Sequence, residues 1–273
     1  MTDEKEQHEA EMGFLDHLEV LRWHLLRSIS AIIIFAIVAF IFYQFIFDTI
    51  ILAPKTPDFF TNKLLCEFGN FINIKTLCIN SEPFQIININ MAGQFSTHIM
   101  VSLVAGFLIA FPYVFWEIWR FIKPALYNNE QKHTQGAVFF SSSLFFLGVL
   151  FGYYLIVPLS VHFLGGYNIS NQVLNQINLG SYISTITSIV LAAGIIFELP
   201  IVIYFLSKAG LITPAILKKY RRHSLVVILA LAAIITPPDI FSQVLVALPL
   251  VILYEIGIKI SKRIYAKDES LLV

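Results

Sequence analysis

SISAIIIFAIVAFIFYQFIF, residues 28–47, decides the fold, because no charged side chain occurs in this stretch. A helix of about 20 residues spans roughly 30 Å, the thickness of the hydrocarbon core of a bilayer. The rest of the chain has the same character, with 57% hydrophobic and 13% charged residues, whereas an ordinary soluble domain has about 25% charged residues. The sequence therefore predicts an integral membrane protein.

Further apolar segments predict an all-α bundle that forms a single membrane domain over residues 1–273. Breaks are marked by Pro158, by Gly165 and Gly166, and by the turn Pro237–Pro238. The six predicted spans cover about residues 28–47, 96–116, 136–157, 179–206, 224–235 and 244–258. The last two are short, since a dozen helical residues rise only about 18 Å. They form either two short spans, which we favour, or a re-entrant hairpin.

The distribution of basic residues predicts the orientation of these spans. Of the 18 lysines and arginines, only Lys55, Lys63 and Lys75 lie on the side of the membrane opposite to both termini. The positive-inside rule makes the basic side cytoplasmic. Residues 48–95 then form a periplasmic loop, and the acidic N-terminal region does not have the charge of a cleavable signal peptide.

The outer loop contains both cysteines of the chain, Cys66 and Cys78. An oxidising compartment favours a disulfide between them, which would be worth about 3 kcal/mol in the chain-entropy model. The alternative is two unpaired thiols in a loosely packed loop.

The sequence shows no pattern typical of catalysis. It lacks nucleophile-elbow, zinc-protease and phosphate-loop motifs, and its seven histidines have no metal-ligand spacing. We therefore predict a protein that is not an enzyme and that binds no metal or organic cofactor. A net charge of zero gives no indication of nucleic-acid binding.

Residues 1–27 are predicted to include an amphipathic helix that lies in the cytoplasmic interface. Phe14, Leu15, Leu18, Leu21 and Leu25 recur near the helical period. This helix is either an anchor that orients span one or a docking surface, and the periodicity alone favours the anchor.

Several acidic and amide side chains allow two interpretations. Glu130 either complements the N-terminal dipole of span three or forms a surface carboxylate that receives a guanidinium. Glu198 lies deep in an apolar run beside Pro200. It is either a functional intramembrane acid or a protonated side chain that is hydrogen-bonded to a neighbouring helix. Asp239 fits a turn or a helix cap, and Gln243 could hydrogen-bond across helices or to a partner helix.

Taken together, five segments resemble the TatC subunit family of the twin-arginine protein translocase. They are FLDHLEVLR (14–22), Ala53–Pro54, the run from Phe111–Pro112 to Glu130, FELP (197–200) and TPPDIFSQ (236–243). The resemblance covers essentially the whole chain. It implies a glove-shaped receptor of six membrane helices in the bacterial inner membrane.

The resemblance also implies a function and a set of residues. Family members bind the paired arginines of signal peptides on folded cargo, act with small single-span subunits of the TatA and TatB type as oligomers, and use the proton-motive force. The implied signal-peptide residues are Glu130, Glu19, Phe121, Leu18, Leu21, Arg22, Pro124 and Tyr127. The implied membrane and partner residues are Glu198, Gln243, Thr236, Pro54 and Asp239.

One position departs from the family pattern. The acid that usually precedes the Leu–Arg pair is replaced by Val20, and Glu19 lies one residue earlier. One residue turns a helix by about 100°, so Glu19 does not simply replace the missing carboxylate. Two other function classes remain as alternatives, a proton-coupled small-solute transporter that uses Glu198 and a purely structural membrane scaffold. The transporter is disfavoured because the chain lacks repeated halves and a midplane polar cluster.

Overall fold

A computed structural model describes residues 14–74, 77–80, 84–122, 134–170, 172, 175–236 and 240–269. The principal helices are α1 Phe14–Ile41, α2 Phe60–Phe71, α3 Gly93–Ile122, α4 Thr134–Phe151, α5 Val157–Gly166, α6 Leu179–Phe197, α7 Leu199–Lys208, α8 Pro214–Lys219, α9 Arg221–Ile235 and α10 Ile240–Glu269. Short helical segments cover Tyr43–Phe45, Ile46–Ile51, Ala53–Lys55 and Gly152–Ile156. The prediction of a helical membrane fold is confirmed.

Five stretches in the described part of the chain are long and apolar enough to cross a membrane. They are Leu18–Ile41, Gly93–Ile122, Gly136–Gly166, Leu179–Lys208 and Ser242–Ala266. Each overlaps one of the predicted spans. The predicted span at 224–235 corresponds to α9, which has only 15 residues. A count of six spans and the cytoplasmic termini stay predictions.

Two of the predicted spans belong to helices that extend beyond the predicted bounds. The predicted span six lies in a long helix and not in a short one, because α10 continues past Lys259. Basic residues near the C-terminus of a helix interact favourably with the helix dipole, so they do not end the helix. The helical stretch that contains the predicted span three continues past Val157, because the π-helical segment Gly152–Ile156 leads directly into α5, which ends at Gly166. Pro158 is tolerated in the first turn of α5, because a backbone N–H group at that position would have no acceptor within the helix.

The N-terminal region also differs from its prediction. Instead of a separate interfacial helix followed by a span, α1 is one helix from Phe14 to Ile41. No glycine or proline occurs between these residues, so nothing in the sequence ends the helix at residue 27. The outer segments contain a further feature that was not predicted, a two-residue parallel pairing of β1 Ile86–Ile87 with β2 Ile177–Asn178.

The chain divides into two compact units, each with its own packing. The first comprises Met1–Ile41 and Ser102–Ser142, and the second comprises Phe42–Val101 and Ser143–Val273. In the first unit, Gly106 allows a close approach of α1 and α3, since a Cβ atom there would lie 2.6 Å from the backbone nitrogen of Ala36. Small residues commonly allow membrane helices to approach this closely.

In the second unit, α4 packs against α6 and α7 packs against α10. A Cβ atom at Gly148 would lie 2.6 Å from the carbonyl oxygen of Ala193, so the first pair is also in close contact. The Ser207 hydroxyl donates to the Ser261 hydroxyl at 2.8 Å across the second pair, and both side chains are buried. Hydrogen bonds of this kind satisfy polar groups that would otherwise be costly in lipid.

Candidate functional site

A buried carboxylate in the first unit has partners on both α1 and α3. Glu117 is 1% exposed and accepts hydrogen bonds from the ring nitrogen Nδ1 of His24 and from the Tyr113 hydroxyl, the latter at 2.9 Å. The Arg27 guanidinium lies 3.9 Å from the same carboxylate. The half-buried Phe121 ring and the His24 ring form a T-shaped pair, with 6.1 Å between the ring centroids. We call Glu117, His24, Arg27 and Tyr113 the carboxylate cluster.

The carboxylate cluster ties α1 to α3. A carboxylate with two hydrogen-bond donors and a nearby cation is a satisfied buried charge, and removing any partner leaves part of its desolvation cost uncompensated. Because both oxygens are engaged and the side chain is shielded from solvent, Glu117 holds two helices together and offers no open site to a ligand.

This cluster was missed by the sequence analysis. The predicted span two ends at Trp116, one residue before Glu117, and the spacing of His24 to the other histidines gives no indication of a site. The spacing of these residues could have indicated the cluster. Tyr113 and Glu117 are four residues apart, and His24 and Arg27 are three residues apart. Each pair therefore shares one face of a helix.

Predicted signal-peptide residues on α1 lie on an accessible surface. Leu18 is 44% exposed, Leu21 is 39% exposed, and Glu19 and Arg22 are also exposed. Val20, at the position where the family usually has an acid, is half-buried. Predicted residues Glu130, Pro124, Tyr127 and Asp239 lie outside the described residues.

Pro54 belongs to a polar network in the second unit. Its buried carbonyl oxygen accepts hydrogen bonds from the amide groups of Asn62 at 3.0 Å and Asn80 at 3.3 Å. The Asn80 amide also donates to the carbonyl oxygen of Pro158, at 3.1 Å. The nearby cysteines Cys66 and Cys78 are joined in a disulfide. These contacts connect the residues after span one to α2 and α5.

Glu198 occupies the junction between α6 and α7. The residue is half-buried, and its carbonyl oxygen accepts hydrogen bonds from the backbone N–H groups of Ile201 and Val202, at 2.9 and 3.0 Å. Pro200 follows in the first turn of α7, where a proline leaves no helical hydrogen bond unmade.

Thr236 and Gln243 both bond to α9. The Thr236 hydroxyl donates to the carbonyl oxygen of Ala232 at 2.8 Å, and the Gln243 amide donates to that of Leu229 at 3.2 Å. Thr236 also lines a cavity of about 310 Å³ whose other polar side chains are Ser160, Ser184, Thr185 and Ser188. No cluster of metal-ligating side chains occurs among the residues that the structure describes.

Comparison with known proteins identifies the chain's relatives. The family described as "Sec-independent protein translocase protein (TatC)" matches residues 16–249. The chain belongs to the TatC family. Members of this family are components of a protein translocase, so the prediction of a membrane protein without enzymatic activity is confirmed.

Named relatives of the TatC family align over nearly the full length. The chain is 42% identical over 253 residues to a Blattabacterium TatC protein, covering 92% of this chain and 95% of the relative. It is 34% identical over 262 residues to the Aquifex aeolicus TatC protein, covering 95% and 99%. A crystal structure of the twin arginine translocase receptor TatC matches with a TM-score of 0.67 at 36% identity, covering 90% of this chain and 98% of that one.

Proposed function

We propose that this protein is the signal-peptide receptor and core membrane subunit of a twin-arginine translocase, which exports folded proteins across the bacterial inner membrane. The full-length similarity to TatC proteins carries this proposal, because a solved relative is described as the twin arginine translocase receptor. Proton-motive force and small single-span subunits of the TatA and TatB type complete the proposed system.

The docking surface combines the exposed residues of α1 with the loop that follows α3. A guanidinium pairs with a carboxylate through two parallel hydrogen bonds, and the pair is stronger at a membrane interface than in bulk water. We assign this role to Glu130, with Glu19 as a second acid and with Leu18 and Leu21 as apolar contacts for the peptide. Twin arginines are then preferred over twin lysines, because an ammonium has no planar fork.

The test is site-specific photocrosslinking in membranes between this chain and a twin-arginine signal peptide. A photoreactive residue replaces Glu130 or Glu19, and a twin-lysine peptide is the ligand control. Glu67 on α2 is the matched acidic control, since it is exposed but lies in the predicted periplasmic loop. We expect arginine-dependent crosslinks from Glu130 and Glu19 and none from Glu67.

A functional measurement accompanies the crosslinking. Glu130→Gln should reduce export of a twin-arginine reporter while leaving membrane insertion intact, and Glu67→Gln should leave both unchanged. Normal export by Glu130→Gln, together with arginine-independent crosslinks, would contradict the receptor role. Solute-stimulated proton uptake by vesicles containing only this protein, abolished by Glu198→Gln, would instead support the transporter.

A further inference from the structure

Helix α2 carries an apolar stripe that no described part of the chain covers. Phe60, Leu64, Phe68 and Phe71 are 65%, 54%, 56% and 85% exposed. Their spacing of four, four and three residues places them within an arc of about 80° at 100° per residue. Four large apolar side chains in one exposed row mark an interaction surface rather than scattered surface residues.

The remainder of α2 divides into two other sectors. Thr61, Asn62 and Gly69 are buried against the rest of the second unit. Lys63, Glu67 and Asn70 are exposed and lie on the other side of the stripe. The helix therefore presents a packed sector, an apolar sector and a charged sector in rotational order, as expected for a helix at the boundary of protein, lipid and water.

The packed sector fixes the direction in which the stripe points. The Thr61 hydroxyl donates to the carbonyl oxygen of Tyr154, and the Asn62 amide donates to the carbonyl oxygen of Thr56 at 2.7 Å. The Cys66–Cys78 disulfide adds a covalent connection within the same segment. Rotation of α2 about its axis would break these contacts, so the stripe has one orientation relative to the second unit.

The stripe is continuous with the exposed surface of a stretch that is able to cross a membrane. Phe60 packs edge-on against the Tyr154 ring, with 6.1 Å between the centroids. Tyr154 is 41% exposed and belongs to Gly136–Gly166, one of the stretches able to cross a membrane. An exposed tyrosine on such a stretch has an apolar ring and a polar hydroxyl, a combination that is enriched at the headgroup level of a bilayer.

We propose that α2 is an interfacial helix whose apolar stripe inserts into the lipid leaflet at the outer end of span one, between the headgroups and the acyl chains. Lys63 and Glu67 remain in the aqueous layer. The contact is a protein–lipid surface separate from the signal-peptide site and does not depend on the proposed function. It sets the depth of the segment that follows span one.

The proposal can be tested with an environment-sensitive fluorophore on the full-length protein in lipid nanodiscs. Single cysteines replace Leu64 or Phe68 in the stripe, and Lys63 or Glu67 as adjacent controls one residue away. Labelling without reductant spares Cys66 and Cys78, because both native sulfur atoms are in the disulfide. Lipids spin-labelled at different depths then serve as quenchers, and size-exclusion chromatography and an intact Cys66–Cys78 bridge verify that each variant is folded.

We expect blue-shifted emission at Leu64 and Phe68, with the strongest quenching from labels about 5–10 Å below the lipid surface. At Lys63 and Glu67, emission should resemble that in water and quenching by lipid should be weak. Water-like emission at all four positions would overturn the proposal. Blue-shifted emission without lipid quenching would also overturn it, since the stripe would then be covered by protein such as a second copy of this chain.

Discussion

Removing His24 from the carboxylate cluster should destabilise the protein strongly. In His24→Ala the Glu117 carboxylate stays buried, with the Tyr113 hydroxyl at 2.9 Å and Arg27 at 3.9 Å as its remaining partners. Removing one partner of a buried ion pair costs about 3–5 kcal/mol, and we expect about 3 kcal/mol because Arg27 remains. The equilibrium constant for unfolding then changes by about two orders of magnitude.

Two further variants distinguish the loss of the His24–Glu117 ion pair from the loss of side-chain packing alone. Glu117→Gln keeps an oxygen and an amide within reach of His24 and Tyr113, so we expect a cost of about 1–2 kcal/mol. The double variant His24→Leu/Glu117→Leu removes both polar groups and should be less destabilised than His24→Ala, since an apolar replacement leaves no buried charge. Glu19→Gln is the matched control on the exposed side of α1, with an expected effect within about 0.5 kcal/mol.

The assay is reversible unfolding in mixed micelles, followed by tryptophan fluorescence. All three tryptophans of the chain, Trp23, Trp116 and Trp119, lie on α1 and α3, so the signal reports on these helices directly. A free energy of unfolding for His24→Ala within about 0.5 kcal/mol of that of the parent protein would refute this prediction. A double leucine variant that is the least stable of the set would also refute it.

Further predictions concern helix packing, the disulfide and the departure from the family pattern. Gly106→Ala should lower the free energy of unfolding by about 1–3 kcal/mol, because the added Cβ atom would meet the backbone of α1. Gly136→Ala is the control, since a Cβ atom there enters open space, and it should be neutral in the same assay. Replacing Cys66 and Cys78 by serine should cost about 3 kcal/mol, and reduction should lower the thermal midpoint of the parent but not of this variant. Val20→Glu should tighten binding of a twin-arginine peptide roughly fivefold, corresponding to about 1 kcal/mol, and an equal gain in Val20→Gln would show that charge is not the cause.

The helical membrane fold could be predicted from the sequence because lipid imposes strong constraints on an entire segment. Uncharged runs long enough to cross a bilayer must be helical or part of a closed barrel, and five of the predicted spans overlap such helices in the structure. Helix ends were harder to predict, because a charged residue ends an apolar run without ending the helix. α3 continues through Arg120 to Ile122, and the Arg120 guanidinium lies 5.5 Å from the centre of the Trp116 ring.

Contacts between distant segments could not be predicted in the same way. The network of Pro54, Asn62 and Asn80 depends on where the residues after span one meet the end of span three. Each asparagine alone is typical of an exposed loop, and only the three-dimensional structure shows that both side chains are buried and bonded. The two-residue pairing of β1 with β2 is likewise too short to have a periodic signal.

The carboxylates near the predicted cytoplasmic end of the first unit have two separate physical roles. Glu117 is 1% exposed and both of its oxygens accept hydrogen bonds, so an incoming guanidinium would have to displace His24 and expose the cluster to gain access. Its contribution is therefore to the stability and spacing of α1 and α3. Glu19 is exposed and has the opposite properties, since it adds little to stability but remains available to a cation. Under the proposed function, Glu19 is an acid that solvent and a signal peptide can reach, whereas the buried Glu117 holds α1, the helix that carries Glu19, against α3.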